Sequence, residues 1–220
     1  MSDNHTHHHP HDYIDIYCER LGPGFWAEPV NFLTNGCFLI AAGLAMYHAW
    51  KSNALTFEIV ILSAILACIG IGSGLFHSFA TGWALAADVI PILLFQIVFI
   101  GVYSRKVIGM DFPKLCAAYA GFFTLIAIFE QVPREIMNGS LSYAPAALYL
   151  GGFAIFHYAR EKQQRLALVI AFGTFILSLT FRSIDMVLCS YIPLGTHFLW
   201  HVLNSVVLYF TIRSLYGNLK

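Results

Sequence analysis

Two short stretches of this chain hold side chains that could do chemistry together. The first, GSGLFHSFATGWALAAD (72–88), sets Ser73, His77 and Asp88 at the joint between two apolar runs. The second, HFLWH, sets His197 and His201 four residues apart. On a helix that spacing puts both imidazoles on one face, one turn from each other. Three neutral imidazoles with an open fourth position make a catalytic zinc site. Zinc brings the pKa of its water down to about 7, and a nearby carboxylate can take that water's proton and pass it to a leaving group. Asp88 suits this role, and it also suits a partner that orients a histidine. Ser73 lies one turn before His77. Its hydroxyl can serve a developing oxyanion or hold the water, or it can simply back-bond to a helix carbonyl, as buried serines commonly do. Haem fits less well, because two histidines one turn apart cannot bind opposite faces of one haem.

The elements that must position these groups are membrane helices. Of the 220 residues, 58% are hydrophobic and 11% charged, where soluble domains carry about a quarter charged; the mean hydropathy is +0.69. Seven apolar runs are long enough to cross a bilayer: 28–50, 54–79, 82–104, 112–132, 143–160, 164–188 and 195–216. The break at 77–82 is the least marked. The expected fold is an all-α bundle of seven transmembrane helices over 28–220, preceded by an extracytoplasmic segment, 1–27. Arg20, Arg134 and Arg182 fall on one side of the membrane, and the other nine Lys and Arg on the opposite side. The positive-inside rule then places the N-terminus outside and the C-terminus in the cytoplasm. The first 28 residues lack an apolar signal-peptide core, so the first helix is expected to act as the insertion signal. In this topology three histidines and Asp88 share one depth, about 5–10 Å below the outer surface.

Ionisable groups inside a membrane are costly, and by default they mark a functional site. Other polar residues have plainer readings. His48 and His157 read as interfacial, Glu58 as hydrated at a helix start, and Asn204 as an interhelical hydrogen bond. Arg182 and Asp185, three apart, read as partners for each other. Cys37, Cys68 and Cys116 read as small apolar residues. The tail MSDNHTHHHPHD carries five histidines, which can bind metal but have nothing to fix their geometry.

The set Ser73-x3-His77, Asp88 eleven residues later and His197-x3-His201 resembles the alkaline ceramidases. These belong to a superfamily of seven-helix membrane hydrolases that includes the adiponectin receptors and Per1-type proteins. The opening DIYCERLGPGFWAEPVNFLTN is also similar to theirs. The resemblance implies an intramembrane zinc amidase that cleaves ceramide to a sphingoid base and a fatty acid. His77, His197 and His201 would hold zinc, Asp88 would activate water, and Ser73 would partner the oxyanion or the water. It further implies a calcium site at Asp15, Glu19 and Glu28, carboxylates that suit this hard cation. Here the pattern departs from the family, with Leu21 in place of an asparagine and altered spacing on both sides of Glu19; a solvated acidic segment is the alternative. The resemblance also implies a Cys18–Cys189 disulfide, in a compartment that permits one.

The expected partner is a membrane lipid, an N-acyl lipid such as ceramide, with no obligate protein partner. Zero net charge argues against nucleic acid. A lipid acyl-ester hydrolase, an adiponectin-receptor-like receptor and a metal transporter are the alternatives. The short polar ends disfavour a receptor, and the lack of polar groups continuing to the inner half disfavours a transporter. The short loops suit a bacterial inner membrane, and a eukaryotic secretory membrane stays open, with the active site toward the extracytoplasmic side.

Overall fold

Pro, Gly and charge punctuate the apolar runs, and the runs between them fold as helices. A computed structural model describes residues 13–219; the His-rich tail lies outside the described residues. Eight α-helices follow in order: α1 Pro29–Thr34, α2 Gly36–Lys51, α3 Phe57–Phe79, α4 Gly82–Val102, α5 Phe112–Phe129, α6 Ala144–Ala159, α7 Ala167–Leu188 and α8 His197–Arg213. A π-helical turn, Tyr103–Ile108, prolongs α4, and a 3₁₀ segment, Ile136–Tyr143, leads into α6. There is no strand among the described residues.

Six helical stretches are long and apolar enough to cross a membrane, with α1 and α2 counted together. The run containing α8 differs from them. Its helix has 17 residues and carries His197, His201, Asn204 and Ser205 on buried positions. The first expected helix is divided at Asn35, whose side chain donates to the Asn31 carbonyl at 2.8 Å.

The weakly marked break at 77–82 is a real turn. Helix α3 ends at Phe79, Ala80 takes a left-handed conformation (φ +48°), and α4 starts at Gly82. The two helices then pack along their length. At Gly72 the approach is so close that any Cβ would collide with the Ala87 carbonyl. Helix α8 sits centrally against α2, α7, α1 and α3, whereas α5 is peripheral and buries only Phe122.

On the other side of the bundle, His157, in the last turn of α6, is fully buried among side chains. Its ring joins the Tyr103 hydroxyl at 2.8 Å and the Gln163 carbonyl at 2.9 Å. Two partners at opposite ring nitrogens satisfy a buried imidazole, so this histidine ties the π-helical turn to the α6–α7 loop.

Candidate metal centre

Helix α3 delivers His77 in its last turn and α8 delivers His197 and His201 in its first two. The three rings converge: each offers a nitrogen, and these atoms all lie within 4.8 Å of one another. All three residues are buried. His197 Nδ1 and His201 Nε2 have no hydrogen-bond partner. Buried polar atoms are normally partnered, so a cluster of unpartnered nitrogens facing a common point fits a cation.

Hydrogen bonds on the far side of the rings set which nitrogens are free. His77 Nδ1 meets Glu28 Oε2 at 2.5 Å. A carboxylate only accepts, so Nδ1 carries the proton and Nε2 keeps its lone pair. The other Glu28 oxygen accepts from Arg20 Nε at 2.5 Å, and Arg20 also donates to the His77 carbonyl at 2.7 Å. His201 Nδ1 meets the Thr34 hydroxyl at 3.0 Å. That hydroxyl donates to the Val30 carbonyl at 2.8 Å, so it accepts from Nδ1–H and leaves Nε2 free. Tyr17 stacks flat on His197, with ring centroids 3.6 Å apart.

Asp185 holds the start of α8. Its carboxylate accepts from Thr196 N at 2.6 Å, His197 N at 2.9 Å and Cys18 N at 3.0 Å. The expected pairing of Arg182 with Asp185 is not formed: Arg182 turns instead to the Asn138 carbonyl and the Ser140 hydroxyl. The physical reason is that three backbone N–H groups already satisfy Asp185. Gly195 has φ +67°, and a Cβ there would collide with Asp185 Oδ1, so a glycine is needed for the chain to fold back over this carboxylate. Asn204 makes the expected interhelical bond, donating to Ser178 Oγ at 3.1 Å. Cys18 and Cys189 form a disulfide, Cα to Cα 5.4 Å, which pins the segment carrying Tyr17 to the end of α7.

Asp88 lies two turns into α4, where the α4 backbone at Ala87 and Asp88 meets α3 next to Ser73. Gly72 makes this apposition possible, because it lets the α4 backbone close on α3 one residue away. Asp88 faces a chamber that is also lined by Tyr17, Arg182, Tyr143 and Glu130. At Ile92, Gln96, Tyr143 and Ala146 this chamber meets a second cavity. The second cavity is walled by aromatic and aliphatic side chains such as Phe95, Phe99, Phe153 and Phe175. A polar end opening on an apolar one matches the shape of a lipid.

Two of the three carboxylates that the resemblance assigns to calcium have other partners here. Glu19 accepts from Val30 N at 2.7 Å and Asn31 N at 2.8 Å, and Glu28 is spent on His77, Arg20 and Asn31. Asp15 is exposed on the N-terminal segment; desolvation by the neighbouring residues, with Glu28 nearby, raises its pKa above the ordinary value against the pull of Arg20. Among the described residues, only the three histidines gather into a metal-holding group.

Glu28 as the partner of a histidine, Thr34, Tyr17 and Asp185 were not singled out in the sequence as parts of the metal centre. Glu28 reads there as a calcium ligand and Asp185 as an acid near a helix end; Thr34 and Tyr17 leave no trace. A protein-family model described as Ceramidase matches residues 18–216. None of the curated proteins compared with the chain matches it.

Proposed function

Because the chain belongs to the ceramidase family, we propose that it is an intramembrane zinc-dependent amidase that cleaves ceramide-like lipids to a sphingoid base and a fatty acid. The observation that carries this reading is the convergence of three buried histidines, two of them with an unpartnered ring nitrogen, near the place where Asp88 on α4 meets α3 beside Ser73. His77, His197 and His201 hold the metal. Zinc, when bound, supplies Lewis-acid activation of water and of the amide carbonyl.

The chain's own residues do the rest. Asp88 takes the proton that water gives up as its oxygen bonds to the carbonyl carbon, and delivers it to the nitrogen as the C–N bond breaks. Ser73 donates to the developing oxyanion or holds the water in line. Glu28 and Thr34 keep His77 and His201 in the tautomer that leaves Nε2 inward. Tyr17 covers His197 and excludes bulk water. The acyl chain or the sphingoid tail occupies the apolar cavity below Tyr143.

Helix α8 is the seventh membrane span, with the N-terminus outside and the C-terminus in the cytoplasm, a topology that the bias of Lys and Arg supports. The centre then faces the outer leaflet.

The test is fatty-acid release from ceramide by the purified protein in detergent, with metal content measured on the same samples. The wild type should hold zinc and hydrolyse. A chelated sample should stop and recover on adding zinc. Asp88→Ala should keep its zinc yet lose roughly 10²–10⁴ in rate. Full hydrolysis by zinc-free protein, or a wild-type rate in Asp88→Ala, would overturn the reading.

A further inference from the structure

The outer part of α7 carries a cation that the chemistry above does not use. Arg182 is only 9% exposed, yet no carboxylate lies within ion-pair distance of it among the described residues. The 3₁₀ segment fixes it in place: the guanidinium donates to the Asn138 carbonyl and to Ser140 Oγ, the latter at 3.1 Å. Asn138 in turn donates to the Arg182 carbonyl at 3.2 Å. Met137, Asn138 and Gly139 of that segment all have positive φ, a backbone form that non-glycine residues adopt at a cost. The guanidinium carbon lies 5.3 Å from the Tyr143 ring centroid and 5.7 Å from that of Trp200. Its Nε is buried without a hydrogen-bond partner.

The same side chain lines the chamber that holds Asp88 and Tyr17. A buried charge is costly unless an opposite charge reaches it. A neutral amide lipid brings none. Asp88 shares the chamber but stands outside ion-pair distance of Arg182, and it has a proton to carry. A guanidinium fork matches a carboxylate in geometry as well as charge.

We propose that Arg182 binds the carboxylate of an acidic lipid in this chamber. The inference rests on reading the chamber as the lipid site of the hydrolase. Two lipids can bring such a carboxylate. One is the fatty acid released by amide cleavage. The other is an N-acyl amino acid offered as substrate, whose hydrolysis adds water across the C–N bond to give a fatty acid and a free amino acid. In either case the hydrocarbon tail extends past Tyr143 and Gln96 into the apolar cavity.

The experiment is a binding competition on the purified, zinc-loaded protein, so it reports on Arg182 even if the protein hydrolyses nothing. A radiolabelled oleate probe is displaced by oleate, by N-oleoylglycine or by N-oleoylsphingosine. In Arg182→Gln, which keeps donors for Asn138 and Ser140, at least one acid should lose roughly tenfold more affinity than the neutral ceramide does. Loss for oleate alone identifies the released product; loss for N-oleoylglycine as well identifies an acidic substrate. Arg182→Lys keeps the charge but not the fork, and it serves where the Gln variant does not fold; it should lose roughly threefold in the same ratio. An acid-to-ceramide affinity ratio unchanged in both variants would overturn the proposal.

Discussion

At the scale of single residues, the centre depends on partners that the ligand pattern does not announce. His77 can offer Nε2 only while Glu28 holds Nδ1–H, and Glu28 is positioned by Arg20 and Asn31. Replacing Glu28 with Gln removes the anion and allows the His77 ring to change tautomer. Outer partners of this kind contribute 10–100-fold to metal affinity as a rough scale. Glu28→Gln is therefore expected to bind zinc about 10–100-fold more weakly, read by competition with a chelator of known affinity. Unchanged zinc affinity would show that Glu28 only ties down Arg20. The spacing of His197 and His201 was legible in the sequence because a single helix sets it. The Glu28–His77 contact spans 49 positions and the Thr34–His201 contact 167, and no local rule predicts such pairs.

At the scale of elements, two close approaches aim the site. Gly72 lets α4 close on α3, which places Asp88 opposite Ser73. Asp185 gathers Cys18, Thr196 and His197 N–H groups at the start of α8, a carboxylate at a helix N-terminus that also suits the helix dipole. Asp185→Ala would leave three backbone donors to find new partners. A buried donor left unsatisfied costs about 1–3 kcal/mol. We expect a lower unfolding temperature in detergent and weaker zinc binding together, since the same helix turn carries His197. A drop in stability with zinc affinity intact would separate α8 anchoring from the metal centre. Arg182 and Asp185 looked like a pair on spacing; which partner each chooses depends on the 3₁₀ segment and on the N-terminal segment, both distant in sequence.

At the scale of the whole molecule, the N-terminal segment packs at the end of the bundle where α8 begins and is held there by the Cys18–Cys189 bond, which links positions 171 apart. Tyr17, next to Cys18, is the lid on His197. Cys18→Ser, or reduction of the wild type, should free this segment, speed zinc loss to a chelator and lower the unfolding temperature. Equal zinc release rates with and without the bond would show that packing alone holds Tyr17 in place. The sequence by itself determined the helical class, most of the membrane-competent spans and the three histidines that gather into a metal-holding group. Hydropathy, helix period and charge bias are local sums, readable without knowing where any residue ends up. The tertiary structure decided what surrounds the histidines: which acid holds which ring, that α4 closes on α3 at Gly72 between Ser73 and Asp88, that His157 is buried, and that Arg182 lines the chamber with no ion-pair partner among the described residues. Those outcomes turn on short-range hydrogen bonds and close contacts between segments far apart in the chain, and only packing brings such segments together.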